Sequence, residues 1–97
     1  MNPSLVEDLV ADNDRRVRTA ALEVLTLHDE PGARRWLWEG RTDPEPHVRM
    51  RLVRHLDRLD PAQHPEVFQT ALMDHNSEIV RLARRRSEGR GIGVPAW

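Results

Sequence analysis

Ninety-seven residues fit one small domain, and 32% charged side chains against 38% apolar ones leave a core that must be built economically. A net charge of −1 excludes a generally basic nucleic-acid binder. The lack of cysteine excludes disulfides and thiolate metal sites. No apolar run approaches the roughly 20 residues of a membrane span and no signal-peptide pattern opens the chain, so a soluble cytoplasmic protein without membrane contact is expected.

Six helices are predicted in chain order, near residues 3–11, 14–28, 33–41, 46–59, 64–73 and 77–88. Leu5, Val6, Leu9 and Val10 form a stripe at i, i+1, i+4, i+5 in the first, and Val17, Ala20, Ala21, Val24 and Leu25 continue one at i, i+3, i+4, i+7, i+8 in the second. Between such stripes stand the turn-forming stretches "ADND", "RTDPEP" and "MDHNSE", where Asp, Asn and Ser suit helix N-caps and Pro46 suits a first helical turn. "HDEPGA" and "LDPAQHP" read as separators between units. No segment alternates as a strand would.

The chain registers on itself at a spacing of 31 residues: Asp12 with Asp43 and Asp74, Val17 with Val48 and Ile79, Ala21 with Leu52 and Ala83, Leu25 with Leu56, Leu5 with Trp36 and Val67, Val6 with Leu37 and Phe68. Pro31 and Pro61 mark the junctions, one residue short of the strict period. A fixed period of this size is the signature of a solenoid. Units of about 1–30, 31–61 and 62–89 are expected to form a single domain, followed by a Gly/Pro tail at 90–97.

The motif Asp-x-x-x-x-Val-Arg, in "DNDRRVRTAALEVL" and "DPEPHVRMRLVRHL" with a degenerate copy "DHNSEIVRLARRRS", resembles the HEAT repeat, in the short bacterial form related to phycobiliprotein-lyase repeats. The resemblance covers residues 1–89. It implies an all-α, three-repeat solenoid of six antiparallel helices in a right-handed stack, and a protein-binding scaffold without catalysis. It also implies that Arg18 and Arg49 bond the repeat aspartates Asp12, Asp43 or Asp74 in a charge-assisted ladder. In the third copy Val80 stands at the register of Arg18 and Arg49, and Arg86 and Ser87 replace apolar positions, so the last helix reads as a terminal cap with a polar outer side.

All 15 basic residues are arginine, which fits either a preference for carboxylates and phosphates or the codon usage of a GC-rich genome. Glu23, Arg54 and Arg85 form a second set at 31-residue spacing, in which Glu23 is expected to face Arg54. Arg51, Arg54 and Arg58 lie along one edge of the fourth helix, and Arg84, Arg85 and Arg86 extend the positive charge onto the sixth. Of these, Arg51 and Arg58 are the expected free ones. Residues 1–30 carry three arginines against seven acids, residues 31–61 seven against five, and residues 62–97 five against four. That basic end could meet an acidic protein, a second copy's acidic end, or nucleic-acid backbone. The last is disfavoured by the scarcity of aromatic platforms.

Chemistry finds little support. His28, His47, His55, His64 and His75 share no i, i+4 spacing, and no His-Glu pair occurs. No metal site, cofactor or nucleophile is therefore expected, and a small metal-dependent enzyme is the remote alternative. His55 is expected as a partly buried, hydrogen-bonded imidazole at the register of Val24.

The resemblance makes residues 14–28, 46–59 and 77–88 the concave face. Its expected exposed members are Thr19, Leu22, Glu23, Met50, Val53, Arg54, Arg81, Arg84 and Arg85, with Leu22 and Val53 alternatively packing between helices. Trp38, at the register of polar Glu7 and Gln69, is expected on the convex surface, either as an interface residue or covering the stem of Arg34 or Arg41. The tail "GRGIGVPAW" holds Ile92, Val94 and Trp97, which either cover the last repeat or bind another molecule. A partner protein with an acidic or amphipathic surface is the expected ligand.

Overall fold

The computed structural model describes residues 3–87, and only helices and turns occur among them. Helix α1 spans Pro3–Glu7 and runs into a 3₁₀ turn, Asp8–Ala11; α2 spans Arg15–His28, α3 Glu30–Gly40, α4 Pro46–Val53, α5 Pro65–Leu72 and α6 Ser77–Ser87. Alternate helices stack: α2 packs on α3 and on α4, α4 on α6, and α5 on α6 and α3. The result is an elongated body of 40 × 24 × 15 Å.

Short polar side chains set the helix starts. Asp14 accepts the Arg16 N–H at 2.8 Å, and Asn76 accepts those of Glu78 and Ile79 at 2.9 and 3.3 Å. "HDEPGA", expected as a separator, instead opens α3: Asp29 accepts the Gly32 N–H at 2.6 Å and Pro31 sits in the first turn, where its missing N–H costs nothing. Gly32 permits this tight junction, since a Cβ there would stand 2.5 Å from the Leu25 carbonyl oxygen. The α2-to-α3 turn is consequently a single residue.

Two expected helices are shorter than their apolar stripes. The first tightens to 3₁₀ geometry after Glu7. The fourth ends at Val53, where His55 N–H bonds the Leu52 carbonyl and Arg58 N–H the His55 carbonyl, both i to i−3. A three-residue period puts Leu56 and Leu59 on one side. Both are buried, so the tightened turn keeps both side chains on the core side.

The core runs the length of the stack through Leu25, Leu37, Val48, Leu52, Leu56, Phe68, Leu72, Ile79 and Ala83. Each large member contributes about 1.5–3 kcal/mol by leaving water. Leu22 and Val53, expected either among the exposed concave residues or packed between helices, are 3% and 8% exposed and belong to this core, because the next helical pair covers them. Ser87, expected on a polar outer side, is buried and donates to the Ala83 carbonyl at 2.7 Å. Gly40 is where α3 approaches α4: a Cβ there would collide with Leu52 Cδ1 and lie 3.6 Å from Leu22 Cδ1.

Candidate binding surface

The aspartates spaced by 31 residues each close a local turn. Asp12 Oδ1 accepts the Asp14 N–H at 2.8 Å, Asp43 Oδ1 that of Glu45 at 2.9 Å, and Asp74 Oδ1 that of Asn76 at 2.8 Å. Two of the three also take an arginine from the preceding helical pair. Arg18 Nε and Nη2 donate to Asp43 at 2.8 and 3.2 Å, and Arg49 Nε and Nη2 donate to Asp74 at 2.9 and 3.3 Å. Arg18 Nη1 further donates to the Asp12 and Asn13 carbonyls, and Arg49 Nη1 to that of Asp43. The side chains of both pairs are largely sheltered, at 14% and 7% exposure for Arg18 and Asp43. The bonds from Asp43 raise the Arg18 pKa above its ordinary value, against the opposing effect of burial. Among the described residues no arginine reaches the Asp12 carboxylate.

Glu23 does not face Arg54. Its carboxylate holds His55 Nε2 at 2.7 Å and Arg51 Nε at 3.1 Å. His55 lies just past the end of α4, where the tightened backbone sets it beside Arg51 at the Glu23 carboxylate, while Arg54 lines the same groove without bonding that carboxylate. Burial pushes the Glu23 carboxyl up, but the bonds from His55 and Arg51 outweigh it and hold the pKa below its ordinary value. The division expected along α4 is thereby reversed: Arg51 is engaged, and Arg54 makes no side-chain hydrogen bond or ion pair among the described residues.

The outer helices carry pairs that the 31-residue register did not reveal. Arg35 reaches Glu7 at 3.4 Å and Arg34 reaches Glu66 at 3.3 Å, linking α3 to both its neighbours at sequence separations of 28 and 32. Trp38, expected on the surface, is half-buried against the core. The Arg41 guanidinium lies 3.7 Å from its ring centroid and donates to its carbonyl at 2.6 Å, so arginine shields this ring.

A groove of about 440 Å³ runs between α2 and α4, lined by Arg15, Arg16, Thr19, Glu23, His47, Met50, Arg51 and Arg54. Met50 is half-buried at its floor. Farther along the same row of helices Arg58, Arg81, Arg84 and Arg85 are exposed, and like Arg54 their side chains form no hydrogen bond or ion pair among the described residues. A second groove of about 600 Å³ at the α5–α6 end is lined by Leu72, Met73, Asp74, His75, Val80, Arg81 and Arg84. Trp97 and the tail at 90–97 lie outside the described residues. Among those described, no three His, Asp or Glu side chains gather as metal ligands would, and no helix is long and apolar enough to cross a membrane.

No curated protein and no solved structure matches the chain. The HEAT-repeat family matches residues 2–87. With stacked helical pairs, a 31-residue register and arginine–aspartate contacts between successive pairs, the chain belongs to the HEAT-repeat family.

Proposed function

We propose that the protein is a non-catalytic protein-interaction module that takes up an acidic or amphipathic protein segment along α4 and α6. One observation carries this reading. Arg15, Arg16, Arg18, Arg34, Arg35, Arg49 and Arg51 all have a carboxylate within 4 Å, whereas Arg54, Arg58, Arg81, Arg84 and Arg85 stand exposed without one. The backbone of the stack holds these charges in one row, so an incoming carboxylate gains charge-assisted bonds at the cost of ordering only the arginine side chains. Met50, beside Arg54 in the groove, offers an adaptable apolar contact to the same segment. HEAT repeats commonly serve as protein-interaction scaffolds, which agrees with this use of the surface.

The test pairs two fluorescent probes, a Glu/Leu-rich amphipathic peptide and a DNA duplex, titrated with the full chain at two salt concentrations. The peptide is expected to bind, and Arg54→Glu with Arg85→Glu is expected to weaken it by about tenfold or more, as like charges replace complementary ones. Duplex binding with a slope of several units in log affinity against log salt, and no peptide binding, would transfer the surface to nucleic-acid backbone.

A further inference from the structure

The first helical pair leaves open the face that the other two pairs bury. Val6 and Val17 of α1 and α2 correspond in register to Leu37 and Val48 in the second pair and to Phe68 and Ile79 in the third, all four buried against the pair before them. In the first pair Leu9 is 43% and Val24 39% exposed, and with Val6, Val17 and Ala20 they line an apolar groove of about 500 Å³. The same end holds the one repeat aspartate without an arginine. Asp43 and Asp74 each receive a guanidinium from the preceding pair, and Asp12 receives none among the described residues. This face therefore has a place for an apolar cover and for one guanidinium, and although Arg16 pairs with Asp14 at 3.1 Å, Asp8 and Asp12 leave its surroundings acidic.

The opposite end of the molecule supplies both. Met73 is 67% exposed and joins Val80, Arg81 and Arg84 around the terminal groove. Val80 holds the register of Arg18 and Arg49, but Arg84 stands one turn farther along the same side of α6, at the register of Leu22 and Val53. Those two leucine and valine side chains are the ones the following pair buries. Arg84 can thus present its guanidinium at the ladder position from about 6 Å along the helix axis, within reach of a long side chain.

We propose that the α1–α2 face of one molecule docks on the α5–α6 face of a second copy, head to tail. Arg84, assisted by Arg81, meets the Asp12 carboxylate of the next molecule, and Met73 with Val80 covers its Val6, Leu9 and Val24. Charge complementarity selects this occupant: the first 30 residues carry three arginines against seven acids, while the α6 end bears Arg81, Arg84 and Arg85. A two-fold contact between two α1–α2 faces would instead set Asp8 and Asp12 of both copies against each other. A head-to-tail contact leaves one face of each kind free at the ends of the assembly, so assembly extends with concentration unless a ring closes. The two readings share Arg81 and Arg84, and residues outside that overlap separate them: Arg54 and Arg85 test the proposed partner, Val24 and Met73 test this contact.

Sedimentation velocity of the full chain from micromolar to millimolar concentration tests it. The wild type is expected to grow progressively beyond a dimer, and less so at high salt. Val24→Glu and Met73→Glu each remove one face and are expected to weaken self-association by about tenfold or more. Mixed one to one, these two variants retain one intact face each and should form a dimer that goes no further. Circular dichroism melts of each variant identify one that merely fails to fold, and the surface change Arg84→Glu then replaces Met73→Glu in the mixture. A wild type that stays monomeric, a dimer that survives Met73→Glu and Arg84→Glu, or loss of assembly in Trp97→Ala alone would overturn the proposal. The last result would give the open face to the C-terminal tail.

Discussion

Replacing Asp43 by alanine tests how adjacent helical pairs are held together. The substitution removes two kinds of bond. One is local, the 2.9 Å bond from the Glu45 N–H that shapes the approach to α4, contributing about 1 kcal/mol. The other is the two-pronged contact from Arg18 in the preceding pair. Breaking a fully buried ion pair from one side costs about 3–5 kcal/mol. Here the cost is smaller, because Arg18 keeps 14% of its side chain in water and retains the Asp12 and Asn13 carbonyls as acceptors. A total of about 2–4 kcal/mol is expected, which lowers the melting temperature of a domain this size by about 8–32 °C.

The 31-residue register supplies an internal control. Asp12 makes the same local bond, to the Asp14 N–H, without an arginine on its carboxylate. Asp12→Ala, measured in dilute solution, should therefore cost only about 0.5–1.5 kcal/mol. Urea melts of the two variants, with Arg18→Met and the Asp43→Ala/Arg18→Met double variant completing a cycle, separate the inter-pair contact from the turn. If Asp43→Ala and Asp12→Ala agree within about 0.5 kcal/mol and the cycle shows no coupling, the arginine contributes nothing and the argument fails.

Three further outcomes are expected. Thr26 is wholly buried and its hydroxyl has no hydrogen-bond partner among the described residues, so Thr26→Val should raise stability by about 1 kcal/mol and the thermal midpoint by about 4–8 °C; an unchanged or lowered midpoint in calorimetry counts against an unsatisfied hydroxyl. Gly40→Ala should destabilise by about 1–3 kcal/mol, since its Cβ meets Leu52 and the core must shift to admit it; chemical denaturation reads this directly, and a neutral result means Leu52 has room to move. Glu23 has a pKa lowered by folding, so its stabilising contribution is complete above the ordinary carboxylate range and lost as pH falls through the folded-state value. Glu23→Gln should therefore lose stability at pH 7 and show a shallower decline below about pH 4 than the wild type, and parallel acid limbs in urea titrations would contradict it.

Much of the architecture is legible in the sequence because the repeat and the helix obey separate periods. The spacing of 31 aligns Asp12, Asp43 and Asp74, and the 3.6-residue stripe marks the side of each helix that turns inward. What escaped was decided where these periods give no information. Leu22 and Val53 lie at the margin of their stripes, where only the next pair decides between solvent and core. Arg54 aligns with Glu23 at 31 residues, but Arg51 and His55, the latter just past the end of α4, hold that carboxylate. For Trp38 the register left two readings open, an interface residue or a partner for Arg34 or Arg41, and the structure pairs it with Arg41 three residues later. Arg34 and Arg35 found their acids at separations that no fixed register would match.

The arginine-only composition makes sense once these roles are separated. A planar guanidinium can grip the next pair's carboxylate with two N–H groups while its third nitrogen donates to a carbonyl in the turn before its own helix, as Arg18 and Arg49 both do. An ammonium would serve the charge but could not span the three acceptors in that fixed geometry. The same side chain recurs at Arg54, Arg81, Arg84 and Arg85, where the stack supplies no acid. Along the register from Glu23 to Arg54 to Arg85, the acid is present only in the first pair, so positive charge accumulates toward α6. Stability alone does not require this gradient, because exposed unpaired charges contribute little to folding. Its effect falls on what approaches the surface, so the unpaired arginines are the ones the proposed partner would meet, while the paired ones tie successive helical pairs together.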